Sequence, residues 1–302
     1  WSQGVWASMT CSGDKRAIKP TKKDGSRPGP GAARRRAAVQ EVNKHYGNEG
    51  CAAYRDFREL LSRTNIDTLC IAVPDHWHAI TALEGIKTGK DIYGEKPLAL
   101  TITEGRKLVD AVNRYDCVWQ TGSWQRSTAH FRFGCELVRN DRIGKLVKVE
   151  VGIGGGFNPG GGKPTVNQID PQPAMPVPEG LDYEMWLGPA PWRPYSGCPN
   201  NGGSWFHVYD YALGFIAGWG AHPLDLLQWA FDTHLAGTWE VEGTGVIPSE
   251  GANSAVMDWD VRIQFSSGVA IWLTRTRPEP ERAEVHVRAP MVSVVKLREA
   301  DY

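Results

Sequence analysis

The chain has 302 residues, 41% of them hydrophobic and 23% charged, with 34 Lys plus Arg set against 34 Asp plus Glu. Such a composition belongs to a globular protein long enough for one large domain or two ordinary ones. The balanced charge gives no global reason to expect a nucleic-acid or membrane partner, and no run of about eighteen apolar residues is present to span a bilayer.

Residues 1–36 are rich in Arg, Lys, Pro and Gly and lack an apolar period, so they read as a basic, disordered tail. A nucleic-acid-binding arm is the functional alternative; a tail without function is preferred. No charged-then-apolar leader opens the chain, so no secretory signal is expected. Order is expected from Ala37. AAVQEVNKHYG reads as a helix ending at Gly47. YRDFRELLSR places Tyr54, Phe57, Leu60 and Leu61 at helical spacing. IDTLCIAVP is a continuous apolar run, which marks a strand buried on both faces. HWHAITALEGIKTG is a helix closed by Gly89, and DIYGE is a short strand. TITEGRKLVDAVNRYD is a helix with a capping box from Thr101 to Glu104. CVWQTG is a further strand. Strands and helices alternating at short spacing imply right-handed βαβ units and a parallel sheet.

The pattern changes beyond this point. HFRFGCELVRNDRIG reads as a helix and KLVKVEVGIGGG as the start of an alternating strand. Residues 154–204 are dominated by Gly, Pro and Asn, a long irregular segment of the kind that carries function. A helix follows from about His222. TWEVEGTGVIP, MDWDVRIQFSSGVAIWLTR with a turn at Ser267-Gly268, and AEVHVRAP read as strands of an antiparallel sheet covered on one face. Three domains result: the tail at 1–36, an α/β domain at 37–124 and an α+β domain at 125–302. The cleft between the last two is the default site.

The six cysteines (Cys11, Cys51, Cys70, Cys117, Cys135, Cys198) are scattered without a C-x-x-C pair, so no metal or disulfide is expected. Cys70 and Cys117 lie in apolar runs and read as buried small hydrophobes. Of the 13 tryptophans, most are expected in the core; an excess also suits a protein that stacks rings on sugar faces.

Three strand ends carry polar groups on one edge of the expected parallel sheet: Val73-Pro74-Asp75-His76-Trp77-His78, Glu95-Lys96-Pro97 and Thr121-Gly122-Ser123-Trp124-Gln125-Arg126. A residue before proline is pushed out of the α region, so Lys96 stays at the strand end instead of joining the next helix. In open parallel sheets ligands bind at that edge. An ordinary surface lysine is the plainer alternative for these residues taken alone.

AVPDHWHAITALEGIKTGKDIYGEKPLALTITEGRKLVDAV, continued by WQTGSWQRS, resembles the Gfo/Idh/MocA family of nicotinamide-dependent oxidoreductases. EMWLGPAPWRPY and GFIAGWGAHPLDLLQWA resemble the substrate domain of one bacterial branch. The resemblance covers residues 37–302. It implies a Rossmann-like, doubly wound parallel sheet followed by an α+β domain with a mainly antiparallel open sheet whose outer face makes a homo-oligomer. The cofactor it implies is NAD or NADP, and the substrate a sugar or sugar-like polyol. By motif, Pro74 and His78 are expected near the nicotinamide ribose. Glu95 and Lys96 are expected to hold that ribose, with Lys96 also beside the reacting carbon. Gln125 and Arg126 are expected cofactor contacts, and Trp192 and Arg193 a cofactor-facing loop. His222 falls at the acid/base position; the alternative for it is a hydrogen-bonded histidine near a helix start. Asp225, one turn on, either orients His222 or only favours the helix start. His76 reads as packing or helix capping. A histidine base and a fixed cation suit removal of a hydroxyl proton as hydride leaves the carbinol carbon.

Two departures from the family pattern stand out. No strand followed by G-x-G-x-x-G is found; Gly29-Pro30-Gly31 comes nearest and lacks the preceding strand. The first sheet strand therefore reads as missing, and the change in composition near Ala37 suggests a displaced or corrupted N-terminus. Gly218 stands where many relatives carry an aspartate four residues before the histidine, and the chain stops at Tyr302 where the family continues. A glycosidase that oxidises transiently, and an inactive scaffold without the glycine loop, are the alternatives to a sugar oxidoreductase. The compartment is expected to be the cytoplasm, or outside it if a lost N-terminus held an export signal.

Overall fold

A computed structural model describes residues 5–8, 30–144, 148–153, 173–196, 204–231, 237–249, 251, 253–274, 285–288 and 293–297. The chain forms two compact units, Trp1–Gly122 with Gln172–Trp205, and Ser123–Pro171 with Phe206–Tyr302.

In the first unit, β1 (Val5–Ser8), β2 (Thr68–Ala72), β3 (Asp91–Glu95) and β4 (Trp119–Gly122) form a parallel sheet in that order. Consecutive order is what one half of a doubly wound sheet shows. The helices are α1 (Pro30–Tyr46), α2 (Phe57–Leu61), α3 (Asp75–Lys87) and α4 (Ile102–Tyr115). Strand alternation turns Leu69, Ile71 and Ile92 toward Ala82, Ile86 and Leu108 of α3 and α4. Each such fully buried side chain contributes about 1.5–3 kcal/mol. Gly85 permits this approach: a Cβ there would lie 2.6 Å from Leu69 Cδ1. The capping box of α4 forms as expected, with the Glu104 N–H donating to Thr101 Oγ1 (3.1 Å) and the Thr101 N–H to Glu104 Oε2 (3.1 Å).

Three expectations for this unit are corrected. The first strand is not missing: Val5–Ser8 pairs with β2, and a run of four residues is too short to show a period. Helix α1 begins at Pro30, ahead of Ala37, because proline suits a first helical position and Ala and Arg are good helix formers. Gly29 and the rest of 9–29 lie outside the described residues. Cys70 and Cys117 are only partly buried, since Leu69 and Ile71 take the helix-covered face and Cys117 sits just past the end of α4.

The irregular segment also behaves differently from its expected place in the second domain. Gln172–Trp205 packs with the first unit. Its short helix α6 (Tyr183–Leu187) is capped by Asp182, and Arg55 holds that carboxylate at 2.9 Å. The Trp186 carbonyl accepts from Trp77 Nε1 (3.2 Å) and lies 3.0 Å from His76 Nε2. These long-range polar contacts follow no local period.

The second unit holds a mixed sheet in the order β6-β7-β8-β5-β10-β9. Its strands are β5 (Lys148–Ile153), β6 (Trp239–Val246), β7 (Asp258–Phe265), β8 (Ala270–Thr274), β9 (Val285–Arg288) and β10 (Ser293–Leu297). All pairs are antiparallel except β5 with β8. Strand β10 was not anticipated; β5 separates it in the sheet from β8. The turn at Ser267-Gly268 forms, with Gly268 at φ 90°. Helices α5 (Ala129–Arg139) and α8 (Ala221–Phe231) bury Phe131, Leu227 and Phe231 against Val151, Ile271 and Leu273. The short helix α7 (Gly214–Gly218) precedes α8.

Candidate active site

In the first unit the ends of β2 and β3 lie side by side. Strand β2 runs out at Ala72 and Pro74 takes the N-cap position of α3 in an extended conformation. Strand β3 ends at Glu95, and the Lys96-Pro97 bond is cis. His78 is 4% exposed. Its Nδ1 lies 2.6 Å from the Pro97 carbonyl and its Nε2 2.8 Å from the Val73 carbonyl, so the ring bridges the two strand ends. Burial holds the His78 pKa below its ordinary value, against the pull of those carbonyls. Both ring nitrogens thus face main-chain carbonyls, and the neutral ring donates to one of them.

Lys96 is half-buried beside two carboxyl groups. Burial lowers its pKa, while Asp75 and Glu95 pull it upward. Gly122 makes room for Glu95: a Cβ there would fall 2.8 Å from the Glu95 carboxyl carbon. Asp75 is 4% exposed, and burial pushes its carboxyl up to about 7 in spite of Lys96. Its Oδ2 is buried with no hydrogen-bond partner among the described residues. The sequence reading passed over Asp75, because an aspartate in the first turn of a helix ordinarily does no more than favour the helix start.

In the second unit, a turn of 3-10 helix at Trp124–Ser127 presents Gln125 and Arg126. Gln125 is 5% exposed and its buried Oε1 has no hydrogen-bond partner among the described residues. Arg126 grips Asp225 with two bonds of 2.7 Å, Nε to Oδ2 and Nη2 to Oδ1. Sequence reading assigned these two residues separate tasks, one on the cofactor and one on His222; the structure joins them to each other. His222 is 4% exposed, in the first turn of α8. Its ring meets Trp124 (centroids 5.8 Å apart) and Trp219 (5.4 Å) edge to face. Gly218 closes α7 under Phe206: a Cβ at 218 would lie 2.1 Å from Phe206 Cζ, so the space an aspartate would need is filled by a ring. Trp192 and Arg193 belong to the first unit, where Trp192 is 73% exposed.

The structure therefore gathers Pro74, Asp75, His78, Glu95 and Lys96 in one unit, and Gln125, Arg126, His222 and Asp225 in the other. The sheet edge suits the nicotinamide end of a dinucleotide: a cation stands there, and Asp75 Oδ2 is a buried acceptor with spare capacity for a ligand donor. Residues 9–29, where a pyrophosphate loop would be sought, lie outside the described residues. Among the described residues no cluster of His, Cys, Asp and Glu could hold a metal, and no helix is long and apolar enough to cross a membrane.

Among curated proteins, the chain is 45% identical over 58 residues to a glycosyl hydrolase family 109 protein of Shewanella sp. (strain W3-18-1), a match covering 19% of this chain and 13% of that protein. Among solved structures it resembles GenD2 from gentamicin A biosynthesis in complex with NAD, at 18% identity and a TM-score of 0.55 over 85% of this chain and 61% of that one. The WlbA dehydrogenase from Bordetella pertussis, in complex with NADH and UDP-GlcNAcA, matches at 18% identity and a TM-score of 0.53 over 82% of this chain and 59% of that one. The chain thus spans about three fifths of these structures, and at such identity they show the fold. The profile described as the oxidoreductase family with NAD-binding Rossmann fold matches residues 32–123, and that of the same family's C-terminal alpha/beta domain matches 121–292. With both profiles matched in order, the chain belongs to the Gfo/Idh/MocA oxidoreductase family, and its first unit carries that family's NAD-binding Rossmann fold.

Proposed function

We propose that the protein is an NAD(P)-dependent oxidoreductase that moves hydride between the nicotinamide and a CH–OH carbon of a sugar or sugar-like polyol. The observation that carries this reading is Lys96, held beside Asp75 and Glu95 at the carboxyl end of β3. When bound, the nicotinamide supplies the hydride chemistry. The protein's own part is orientation and proton handling. Lys96 is the cation for a developing alkoxide, and it is worth more in a half-buried setting than in water. His78 keeps the two strand ends in register by its contacts to Val73 and Pro97. Gln125 has a buried carbonyl oxygen, unpartnered among the described residues, that can accept from a ligand. In the second unit His222 serves as the base for the substrate hydroxyl, with Trp124 and Trp219 excluding water from its ring. The UDP-GlcNAcA named for the Bordetella structure supports a sugar-class substrate. A homo-oligomer formed through the second-unit sheet belongs to this reading.

A second reading is an NAD-dependent glycosidase that oxidises transiently without net redox. The specific support for it is the 45% identity over 58 residues to a glycosyl hydrolase family 109 protein. Both readings use the same residues and differ only in outcome.

The test is titration of the purified chain with NAD(H), followed by tryptophan fluorescence and calorimetry. Micromolar binding lost in Lys96→Ala supports the cofactor site; no binding up to millimolar cofactor overturns both readings and leaves an inactive scaffold. Assays with free sugars and with glycosides then separate the two. Net NADH formation marks the oxidoreductase, and glycoside cleavage that needs NAD but forms no net NADH marks the glycosidase.

A further inference from the structure

Among the described residues, Trp124, Trp192 and Trp239 leave more than half of their surface open to solvent. A large apolar ring left open calls for a cause, because tryptophan is on average well buried. Trp239 lies flat on Phe265, and Trp192 belongs to the first unit. Trp124 differs: its ring meets that of His222, the proposed base, with centroids 5.8 Å apart and planes at 73°. Whichever ring lends its edge, such a contact covers at most one face of the indole, and Trp124 remains 52% exposed. The turn that carries it is fixed on α8. Two positions on, Arg126 grips Asp225 with two bonds of 2.7 Å, and its guanidinium lies 5.6 Å from the centre of the Trp229 ring. Asp225 and Trp229 stand on the same helix as His222. An indole held in place before a ligand arrives loses little freedom on binding.

We propose that Trp124 is the substrate platform, stacking the C–H face of a pyranose, so that the sugar is bound as a closed ring and not as an open-chain polyol. The proposal rests on the oxidoreductase reading and narrows its substrate class. The face of an aromatic ring is electrically negative. The axial C–H hydrogens of a gluco-configured pyranose are weakly positive and together make a flat apolar patch that fits it. An open-chain polyol has no such patch, because its rotatable chain turns hydroxyls to every side. Small-molecule sites commonly join an aromatic wall to a few polar groups that fix orientation. Here the wall is Trp124, and the polar group it touches is His222.

The test is titration of the full chain, without cofactor, with methyl β-glucopyranoside, methyl N-acetyl-β-glucosaminide and glucitol, followed by saturation-transfer NMR. In the parent protein the ring C–H protons of the pyranosides should take up saturation. In Trp124→Ala pyranoside affinity should fall about tenfold or more, through the lost apolar contact, with Trp124→Phe intermediate. Glucitol should bind weakly from the outset and respond little to either change. Should Trp124→Ala fail to fold, Trp124→Leu takes its place with the same expected loss, since leucine keeps apolar bulk without a flat face. Pyranoside affinity unchanged in the folded variant, an equal loss for glucitol, or no pyranoside binding by the parent protein up to the solubility of the sugar overturns the proposal. An equal loss of NAD(H) affinity in Trp124→Ala also overturns it, because the ring would then belong to the cofactor. The two readings fail separately. Absence of NAD(H) binding with pyranoside binding that depends on Trp124 removes the hydride reading and keeps the platform; NAD(H) binding with pyranoside binding indifferent to Trp124 does the reverse.

Discussion

Replacing Gly218 by Asp would place a carboxyl four residues before His222, the position that the resemblance singled out. The structure argues that this restores nothing. A Cβ at 218 would lie 2.1 Å from Phe206 Cζ and 2.5 Å from Cε1, whereas carbon atoms settle at about 3.5–4.0 Å. The Phe206 ring must therefore move by more than an ångström. It packs edge to face on Phe215 at 5.9 Å, Phe215 lies 5.7 Å from Trp219, and Trp219 lies 5.4 Å from the His222 ring. Displacement would thus pass along three rings to the proposed base. Overpacking of this kind costs about 1–3 kcal/mol, and burying a carboxylate among rings adds about 1–3 kcal/mol. Relief of the helical glycine returns only about 0.5 kcal/mol. The net expectation is a loss of about 2–4 kcal/mol, which lowers Tm by roughly 5–15 °C for a unit of this size. Calorimetric melting checks the loss. Phe206→Ala in the Gly218→Asp background should show a favourable coupling of at least about 1 kcal/mol. Gly218→Asp within about 0.5 kcal/mol of the parent protein, or no coupling with Phe206→Ala, would refute the reasoning.

Other outcomes follow from single side chains. Lys90 is 3% exposed and donates to the carbonyls of Arg63 (2.9 Å) and Ile66 (2.7 Å); Lys90→Met should cost about 2–4 kcal/mol in urea unfolding, because two carbonyls lose their donor. Thr101→Ala removes the acceptor for the Glu104 N–H and should cost about 1 kcal/mol by the same measurement. Asp75 carries a pKa raised from 3.8 to about 7 on folding, so the native state holds the extra proton between those values and stability falls as pH rises through that window. Asp75→Asn should therefore gain on the parent protein between pH 4 and pH 7, by up to about 4 kcal/mol in full. An equal difference at both pH values, in parallel denaturant titrations, would show that Asp75 is not a raised carboxyl.

Much of this was legible in the chain because its causes are local. Thr101 and Glu104 form their capping box from neighbours three residues apart. Gly89 ends α3, and Gly268 turns β7 into β8, through a backbone conformation that other residues resist. Glu95-Lys96-Pro97 marks a strand end because proline constrains the residue before it. By itself, then, the sequence determined the α/β then α+β order, the family, and which strand ends bear polar groups. Tertiary structure alone decided the rest. Val5–Ser8 becomes a strand only because β2 offers it an edge. Arg126 meets Asp225 across 99 positions of sequence, Trp186 meets Trp77 across 109, and Phe206 fills the space beside Gly218. Asp75 is a surface-type residue whose raised carboxyl arises from burial, against the pull of Lys96. Periodicity and propensity report on neighbours along the chain, whereas desolvation and ion pairing depend on which distant groups exclude the water.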